Sequence, residues 1–546
     1  MRFVQDGPVR QDRWETDRVL RNRVERLLPD EVLSEVGEWL ADLGKRAVEE
    51  WAPLAEQAEA NPPHLVRFDA WGNRIDQIVV DPAWTELVKR GQSIGIAAIP
   101  YEAEFGPASR IVQAAVVDLF GPVSATADCP LSMTDAAISV LRREDPELAE
   151  RFGVPMLRRE YGWTSGQWMT EQAGGSDVGR TGTEAIKHGD GTWTLHGTKW
   201  FTSATTADLA LALARPEGAG EGSRALSLFA VPLRNPDGSW NGIAVRRLKD
   251  KMGTKALPTA ELELDGAIAY PVGGIGDGVR KVGPMLNITR LHAALGSVSA
   301  VGEGLGLIRD YANRRQAFGR PLRDLPLHRR WIAGLAARYD ALHALAYRGA
   351  QLLGQAETGG DPDGTARLVL PLAKLACARG GAELTSHIIE SFGGAGYVND
   401  TGIPRIHLDT HVNCIWEGTT SVIALDVLRV ISRGGTGAAL IADIRERVAP
   451  AVDDRTLGLQ AAQVAEACDA LEKMLVEPAE QDARRIAFGL ANTLALALLV
   501  SEGLADLRSG DARTATAARI FSATPLIGSD HGVTNEDEAR LAFDPR

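Results

Sequence analysis

The hydrophobic period of the chain changes twice, and that order limits the fold more than any single motif. Up to about residue 165, stretches such as LPDEVLSEVGEWLADLGKRAVEEWAPLAEQAE repeat apolar residues every three or four positions, as helices with one buried face do. Asp30 and Ser34 offer caps there, and Asn61-Pro62-Pro63 and Gly72-Asn73 break the pattern with turn chemistry. From about 166 to 275 the runs become short and rich in β-branched and aromatic residues: TWTLHGTKWFTS, ALSLFAVPL and GIAVRRL, separated by Gly, Asp and Asn. Runs of this kind predict a small antiparallel β domain or barrel. From about 276 to 434 long Ala/Leu-rich helical runs return, and Gly434-Gly435-Thr436-Gly437 separates them from a further helical block over 435–546. A chain of 546 residues exceeds one ordinary core, so these four segments are read as domains. The expected fold is mainly α with an inserted antiparallel β domain, followed by a helical bundle and a helical extension.

Charge and cysteine usage restrict the partners. A formal net charge of −13 disfavours non-specific attraction to nucleic acid. From residue 434 onward there are 11 Lys/Arg against 18 Asp/Glu, and Arg484-Arg485 is the one basic pair, so DNA is not an expected partner. Cys129, Cys377, Cys414 and Cys468 are far apart and form no CxxC pair, as expected of reduced thiols in a cytoplasmic protein. The first twenty residues are charged and lack an apolar core. The stretch LANTLALALLVSEGLADL, from Leu490, is interrupted by Asn492, Ser501 and Glu502 and reads as a buried helix rather than a span, so no membrane partner is expected.

Four segments carry the chemistry. In Trp168-Met-Thr-Glu-Gln-Ala-Gly-Gly-Ser-Asp-Val178, the glycines at 174 and 175 and Ser176 let backbone N–H groups approach an anionic or ring-carbonyl ligand. Arg314-Arg-Gln-Ala-Phe-Gly-Arg-Pro321 sets cations around an aromatic residue at a helix end, a phosphate-binding pattern. The third is Ser391-Phe-Gly-Gly-Ala-Gly-Tyr397. In the fourth, Cys414-Ile-Trp-Glu-Gly-Thr-Thr-Ser421, Glu417 is a carboxylate beside Trp416 in an apolar run, suited to act as a base. Each taken alone also fits a turn, a helix end or a helix start.

Together, WMTEQAGGSDV, RRQAFG, SFGGAGY and IWEGTTS resemble, in order and spacing, the motifs of the acyl-CoA dehydrogenase superfamily over roughly residues 60 to 435. NPPHLVRFDAWGNRIDQIVVDPAW, CPLSMTDAA, LKDKMGTKALPTAELEL and the block after residue 434 resemble its AidB-like, adaptive-response branch. The resemblance implies FAD as cofactor and α,β-dehydrogenation of an acyl thioester, on coenzyme A or a carrier protein. Glu417 would take the α proton while a hydride passes from Cβ to flavin N5. It implies main-chain contacts to the flavin from Met169 and Thr170, with Ser176 against both flavin and substrate. It places Trp200 against the ring, Thr202 near N5, and Arg290 at the substrate end. Arg315, Phe318, Gly393 and Gly394 would hold the FAD of a neighbouring subunit, which implies a homotetramer built as a dimer of dimers, and Thr419 would reach the FAD phosphates. An electron acceptor for the reduced flavin is implied as well. Ser203 stands where many relatives have Asn, Asp324-Leu-Pro-Leu replaces a common His-Gln, and Ser421 replaces a Gln, which puts details of the adenine contacts in doubt.

Competing signals are weaker. His407 and His411 have i, i+4 spacing but lack the Glu of a zinc protease motif, so no metal is expected. Gly274-Ile-Gly-Asp-Gly278 lacks both GxGxxG spacing and a βαβ frame. Asp177 fits a turn-stabilising role, and His292 fits a core or surface histidine. Two rival functions are a DNA-protecting flavoprotein of alkylation stress and another flavin-dependent oxidation in specialised metabolism; the acidic extension disfavours the first and Glu417 the second.

Overall fold

A computed structural model of the chain describes residues 6–543; the first five residues of the expected N-terminal domain and the last three of the expected extension lie outside them. The N-terminal part is built of helices, of which Ser109–Phe120 and Asp128–Glu144 are the most deeply buried. It also contains a feature that the helical periodicity does not predict, a hairpin of β1 (His64–Phe68) and β2 (Arg74–Val79). Its turn sits at the Gly72-Asn73 break, where Asp69 Oδ1 accepts the N–H groups of Trp71 and Asn73 at 2.8 and 2.9 Å. The hairpin leaves the helices and joins the β domain. Asp76 Oδ2 accepts the Val245 N–H at 2.8 Å, and Trp240 Nε1 donates to the Ile75 carbonyl at 3.2 Å.

The β domain comprises β3 (Ser165–Trp168), β4 (Glu184–Lys187), β5 (Trp193–Ser203), β6 (Leu209–Pro216), β7 (Ser227–Pro232), β8 (Ile243–Leu248) and β9 (Thr259–Pro271). The strands run in the order β3-β6-β4-β5-β9-β7, with β8 on β9, and β7 pairs back onto β6 so that the sheet closes on itself. Most pairings are antiparallel, but β6 runs parallel to both β3 and β4. The forty residues between β3 and β6 supply the long crossover that parallel neighbours need. Trp168, Phe229 and Leu262 fill the barrel with no exposed surface.

The bundle is dominated by the 37-residue helix Gly278–Arg314, packed against Pro326–Glu357 and Ala366–Glu390. The extension wraps around Ala483–Arg508, whose residues Leu490 to Val500 are largely buried among protein neighbours. This is the stretch read as a buried helix. It and Gly278–Arg314 are long and apolar enough to span a bilayer, yet 78% and 83% of their most apolar windows are covered by protein. Buried ion pairs fasten the extension to the core: Arg23 bonds Asp340 at 2.8 Å and Glu502 at 2.7 Å, and Arg513 bonds Asp340 at 2.6 Å. Loss of Arg23 would strip Asp340 and Glu502 of their shared cation, which costs several kcal/mol.

Candidate functional site

A cavity of about 1950 Å³ lies where the N-terminal helices, the barrel and the bundle meet. Ordinary ligand pockets span roughly 300–1,000 Å³, so this one has room for two sizeable ligands.

Glu417 lies on its wall in a conformation that costs free energy. It follows the short turn Val412–Cys414, adopts φ +57°, and is followed by Gly418 at φ +103°. A non-glycine residue in the left-handed region costs of order 1–3 kcal/mol and persists only where its surroundings hold it. Here Thr289 Oγ1 donates to Glu417 Oε2 at 2.7 Å, and Lys374 Nζ donates to the Gly418 carbonyl at 2.6 Å. Arg290 Nε donates to the Glu417 carbonyl at 3.3 Å, while its Nη1 pairs with Asp426 at 2.8 Å. Burial pushes the Lys374 ammonium down to about 8, against the opposing pull of Glu417. Thr419 follows in an extended conformation and begins the helix Thr420–Ile431, with no side chain capping its first N–H groups.

A second wall is the turn after β3. Met169, Thr170, Gly175 and Ser176 line the cavity. Glu171 locks the turn from behind, accepting from Lys199 Nζ at 2.7 Å, Thr183 Oγ1 at 2.6 Å and the Gly182 N–H at 2.7 Å. Gly175 cannot be replaced freely, because a Cβ there would come within 3.0 Å of the Thr170 side chain.

Trp200 and Thr202 do not line the cavity; Phe201 and Ser203 do. Thr202 is fully buried and donates to the Ala260 carbonyl at 2.8 Å, and the Trp200 ring lies under Lys249 Nζ, 3.5 Å from its centroid. The reason is a bulge in β5 between Lys199 and Thr202, which shifts the pairing with β9 and turns the following side chains. Arg290 lines the cavity but is committed to Asp426 and the Glu417 backbone, so it braces the loop.

Arg315, Phe318, Gly393 and Gly394 lie outside this cavity. Phe318, at φ +51°, is 95% exposed at the tip of a two-residue hairpin, and Gly393 and Gly394 are exposed on a neighbouring turn. The Tyr311 ring packs against Phe392 at 5.1 Å between centroids, tilted by 51°, and so joins the two segments.

Three residues were not singled out from sequence for the roles they take. Thr289 carried no separable signal beside Arg290. Lys374 did carry one, as a lone cation in the apolar run LVLPLAKLACA. His292 lines the cavity; its Nε2 pairs with Asp135 at 3.0 Å, and its Nδ1 has no partner among the described residues.

Comparison with known proteins places this architecture. The Adaptive response protein AidB N-terminal domain model matches residues 7–162, the acyl-CoA dehydrogenase middle domain 166–267, and the acyl-CoA dehydrogenase C-terminal domain 276–432. Acyl-CoA dehydrogenase family member 11 of Caenorhabditis elegans is 38% identical over 96% of this chain and 90% of its own length. The chain belongs to the AidB-like branch of the acyl-CoA dehydrogenase superfamily. AidB of Escherichia coli (strain K12) is 33% identical to this acyl-CoA dehydrogenase over 72% of the chain and 74% of its own length. The crystal structure of Caenorhabditis elegans ACDH-11 in complex with C11-CoA superposes on it with a TM-score of 0.95 at 36% identity, covering 99% of this chain and 97% of that one.

The walls of this acyl-CoA dehydrogenase fit a flavin. The cavity volume exceeds what one acyl thioester needs, Phe201 offers an aromatic face, and Gly174 at φ +156° with Gly175 brings backbone close to the cavity. The uncapped helix start at Thr419 suits a phosphate.

Proposed function

We propose that the protein oxidises an acyl-CoA between Cα and Cβ, with FAD as cofactor and Glu417 as the base. The observation that carries this is Glu417 itself: a carboxylate held in a strained conformation on the cavity wall by Thr289, Lys374 and Arg290. A ligand of this kind is recorded for the ACDH-11 relative, whose structure holds C11-CoA.

Met169, Thr170, Gly175 and Ser176 would hold the flavin ring and its side chain, with Phe201 against the ring and Ser203 at the polar edge, in place of Trp200 and Thr202. Thr419 and the helix start behind it would receive phosphate oxygens. When bound, FAD supplies the acceptor for the hydride lost from Cβ. Glu417 removes the α proton. Thr289 occupies one lone pair of Oε2 and so directs the remaining lone pairs of the carboxylate toward the cavity. The braced 417–418 backbone keeps that carboxylate in place, which converts binding into a near-attack geometry. Ser176 lies on the same wall as the ring contacts and would touch the thioester as well. Arg315 and Phe318, with Gly393 and Gly394, would complete the FAD site of a neighbouring subunit, so the working form is a homotetramer in which each cofactor is held by two chains. A separate acceptor protein then reoxidises the enzyme.

Anaerobic titration of the purified protein with acyl-CoA thioesters tests the reading. Loss of the flavin absorbance is expected. A yellow protein that no acyl-CoA bleaches contradicts it.

A further inference from the structure

His292 is a polar residue on the cavity wall that the proposed chemistry does not use. It is 6% exposed, its Nε2 lies 3.0 Å from Asp135 Oδ2, and its Nδ1 has no partner among the described residues. Asp135 has no exposed surface. Arg110 Nη1 donates to its Oδ2 at 2.7 Å, Gln113 Nε2 to the same oxygen at 2.8 Å, and the Tyr101 hydroxyl to Oδ1 at 2.7 Å. Burial would raise the Asp135 carboxyl, but the Arg110 guanidinium beside it holds it well below the usual carboxylate range. An ionised carboxylate can only accept, so His292 carries its proton on Nε2 and presents the Nδ1 lone pair as an acceptor. A buried acceptor left unpaired costs its full desolvation penalty, and a ligand that donates to it recovers that cost. The wall nearby is polar as well. Thr126, Asp128 and Ser132 line the same cavity, and Ala125 and Thr126 both adopt positive φ, at +48° and +63°. Consecutive non-glycine residues in that region mark a loop that its surroundings hold under strain.

We propose that His292 is a specificity-determining residue, and that the acyl thioester this protein takes carries a hydroxyl on its fifth or sixth carbon, which donates to Nδ1. Asp135 and Arg110 act behind it as positioning residues that fix the tautomer. The placement of the hydroxyl follows from the helix Gly278–Arg314, which carries both Thr289, the partner of Glu417, and His292. Three residues of helix rise about 4.5 Å. An extended chain advances about 1.2 Å per bond, as three backbone bonds do in about 3.5 Å, so a chain whose α carbon faces Glu417 brings its fifth or sixth carbon to His292.

This assignment rests on the acyl-CoA reading of the site but is separable from it, because binding can be measured without turnover. The probes are 3-thiadecanoyl-CoA, which cannot be oxidised at the β position, and its 5-, 6- and 9-hydroxy derivatives. Calorimetric titration of the flavoprotein is expected to show the 5- or 6-hydroxy derivative binding at least fivefold more tightly than the unsubstituted chain, and the 9-hydroxy derivative no more tightly than it. His292→Leu keeps an apolar body in place and leaves Asp135 its other three donors, so the pocket retains its support. It should bring the preference to one or below. His292→Gln restores an acceptor and should recover part of it. Wild-type protein that binds all four probes alike, or prefers the 9-hydroxy derivative, overturns the proposal, as does a preference that survives His292→Leu unchanged. The comparison of isomers on wild type alone decides the matter if the variants do not fold. A mid-chain preference in a protein whose flavin no acyl-CoA bleaches leaves the hydroxyl site standing and removes the dehydrogenase reading. Bleaching without any preference among the probes does the reverse.

Discussion

The Glu417 loop and the Phe318 hairpin are both strained, and they differ in what holds them. Each places a non-glycine residue at positive φ, at +57° and +51°. Glu417 is surrounded by buried partners from three helices: Thr289, Arg290 and Asp426, and Lys374. Phe318 is 95% exposed, and Gly319 beside it has nothing near its α carbon. Strain of 1–3 kcal/mol persists where the surroundings over-determine it. The first region meets that condition within one chain. The second is held by the two-residue hairpin itself, whose tight turn takes positive φ at both Phe318 and Gly319 and leaves the phenyl ring exposed. The difference teaches that the Glu417 loop is fixed by contacts within one chain, whereas the Phe318 hairpin presents an exposed ring that, in the proposed reading, completes a neighbour's cofactor site.

Breaking the first region should give the largest effect. Glu417→Gln is expected to retain FAD and lose about 10²–10⁴-fold in turnover, the usual share of a general base; stopped-flow flavin reduction checks it. Breaking the second should act on assembly and cofactor retention. Arg315→Ala is expected to weaken FAD binding by about 10–100-fold, the worth of a charged hydrogen bond to phosphate, and to lower the mass seen by light scattering. Intact tetramers with full FAD would sever the two regions. Thr289→Val removes the bond that orients the carboxylate and is expected to cost about tenfold in kcat with little change in KM.

A smaller effect tests the bulge. Ser203→Ala should shift the bound flavin spectrum, whereas Thr202→Val should cost about 1 kcal/mol of stability through the lost Ala260 bond and leave the spectrum alone. The reverse pattern would return Thr202 to the flavin.

The smallest concerns Lys374. Its folded value is pushed down by burial to about 8, whereas an unfolded lysine titrates near 10.4. Below pH 8 both states are protonated and this group adds no pH dependence. Between about pH 8 and 10 the unfolded chain binds the extra proton, so the group makes stability rise with pH. The unfolding free energies of wild type and Lys374→Met, from urea titrations across that window, should differ in slope by on the order of 1 kcal/mol per pH unit.

The order of helices, barrel, bundle and extension was legible because hydrophobic period is a local property. The hairpin His64–Val79 was not, because its strands pair mainly with each other and its anchors, Val245 and Trp240, lie more than 160 residues away. Glu417 was legible from its motif, since the glycine after it and the helix start beyond it are sequence-local. Which of residues 200–203 face the cavity was not legible, because a bulge changes that without changing the letters around it. Arg290 was found and its partner was not: Asp426 lies 136 residues further on. Lys374 was visible as a charge in an apolar helix and gained a meaning only when the fold put Gly418 beside it.

The most direct test of the central claim separates proton removal from oxidation. Wild-type and Glu417→Gln protein, each with FAD bound, are incubated in D₂O with a 3-thia-acyl-CoA, which has an acidic α position and no β carbon to oxidise. Mass spectrometry then reads deuterium at the α carbon. The account predicts rapid exchange with the wild type and none above the buffer rate with the variant. Equal exchange in both would contradict Glu417 as the base.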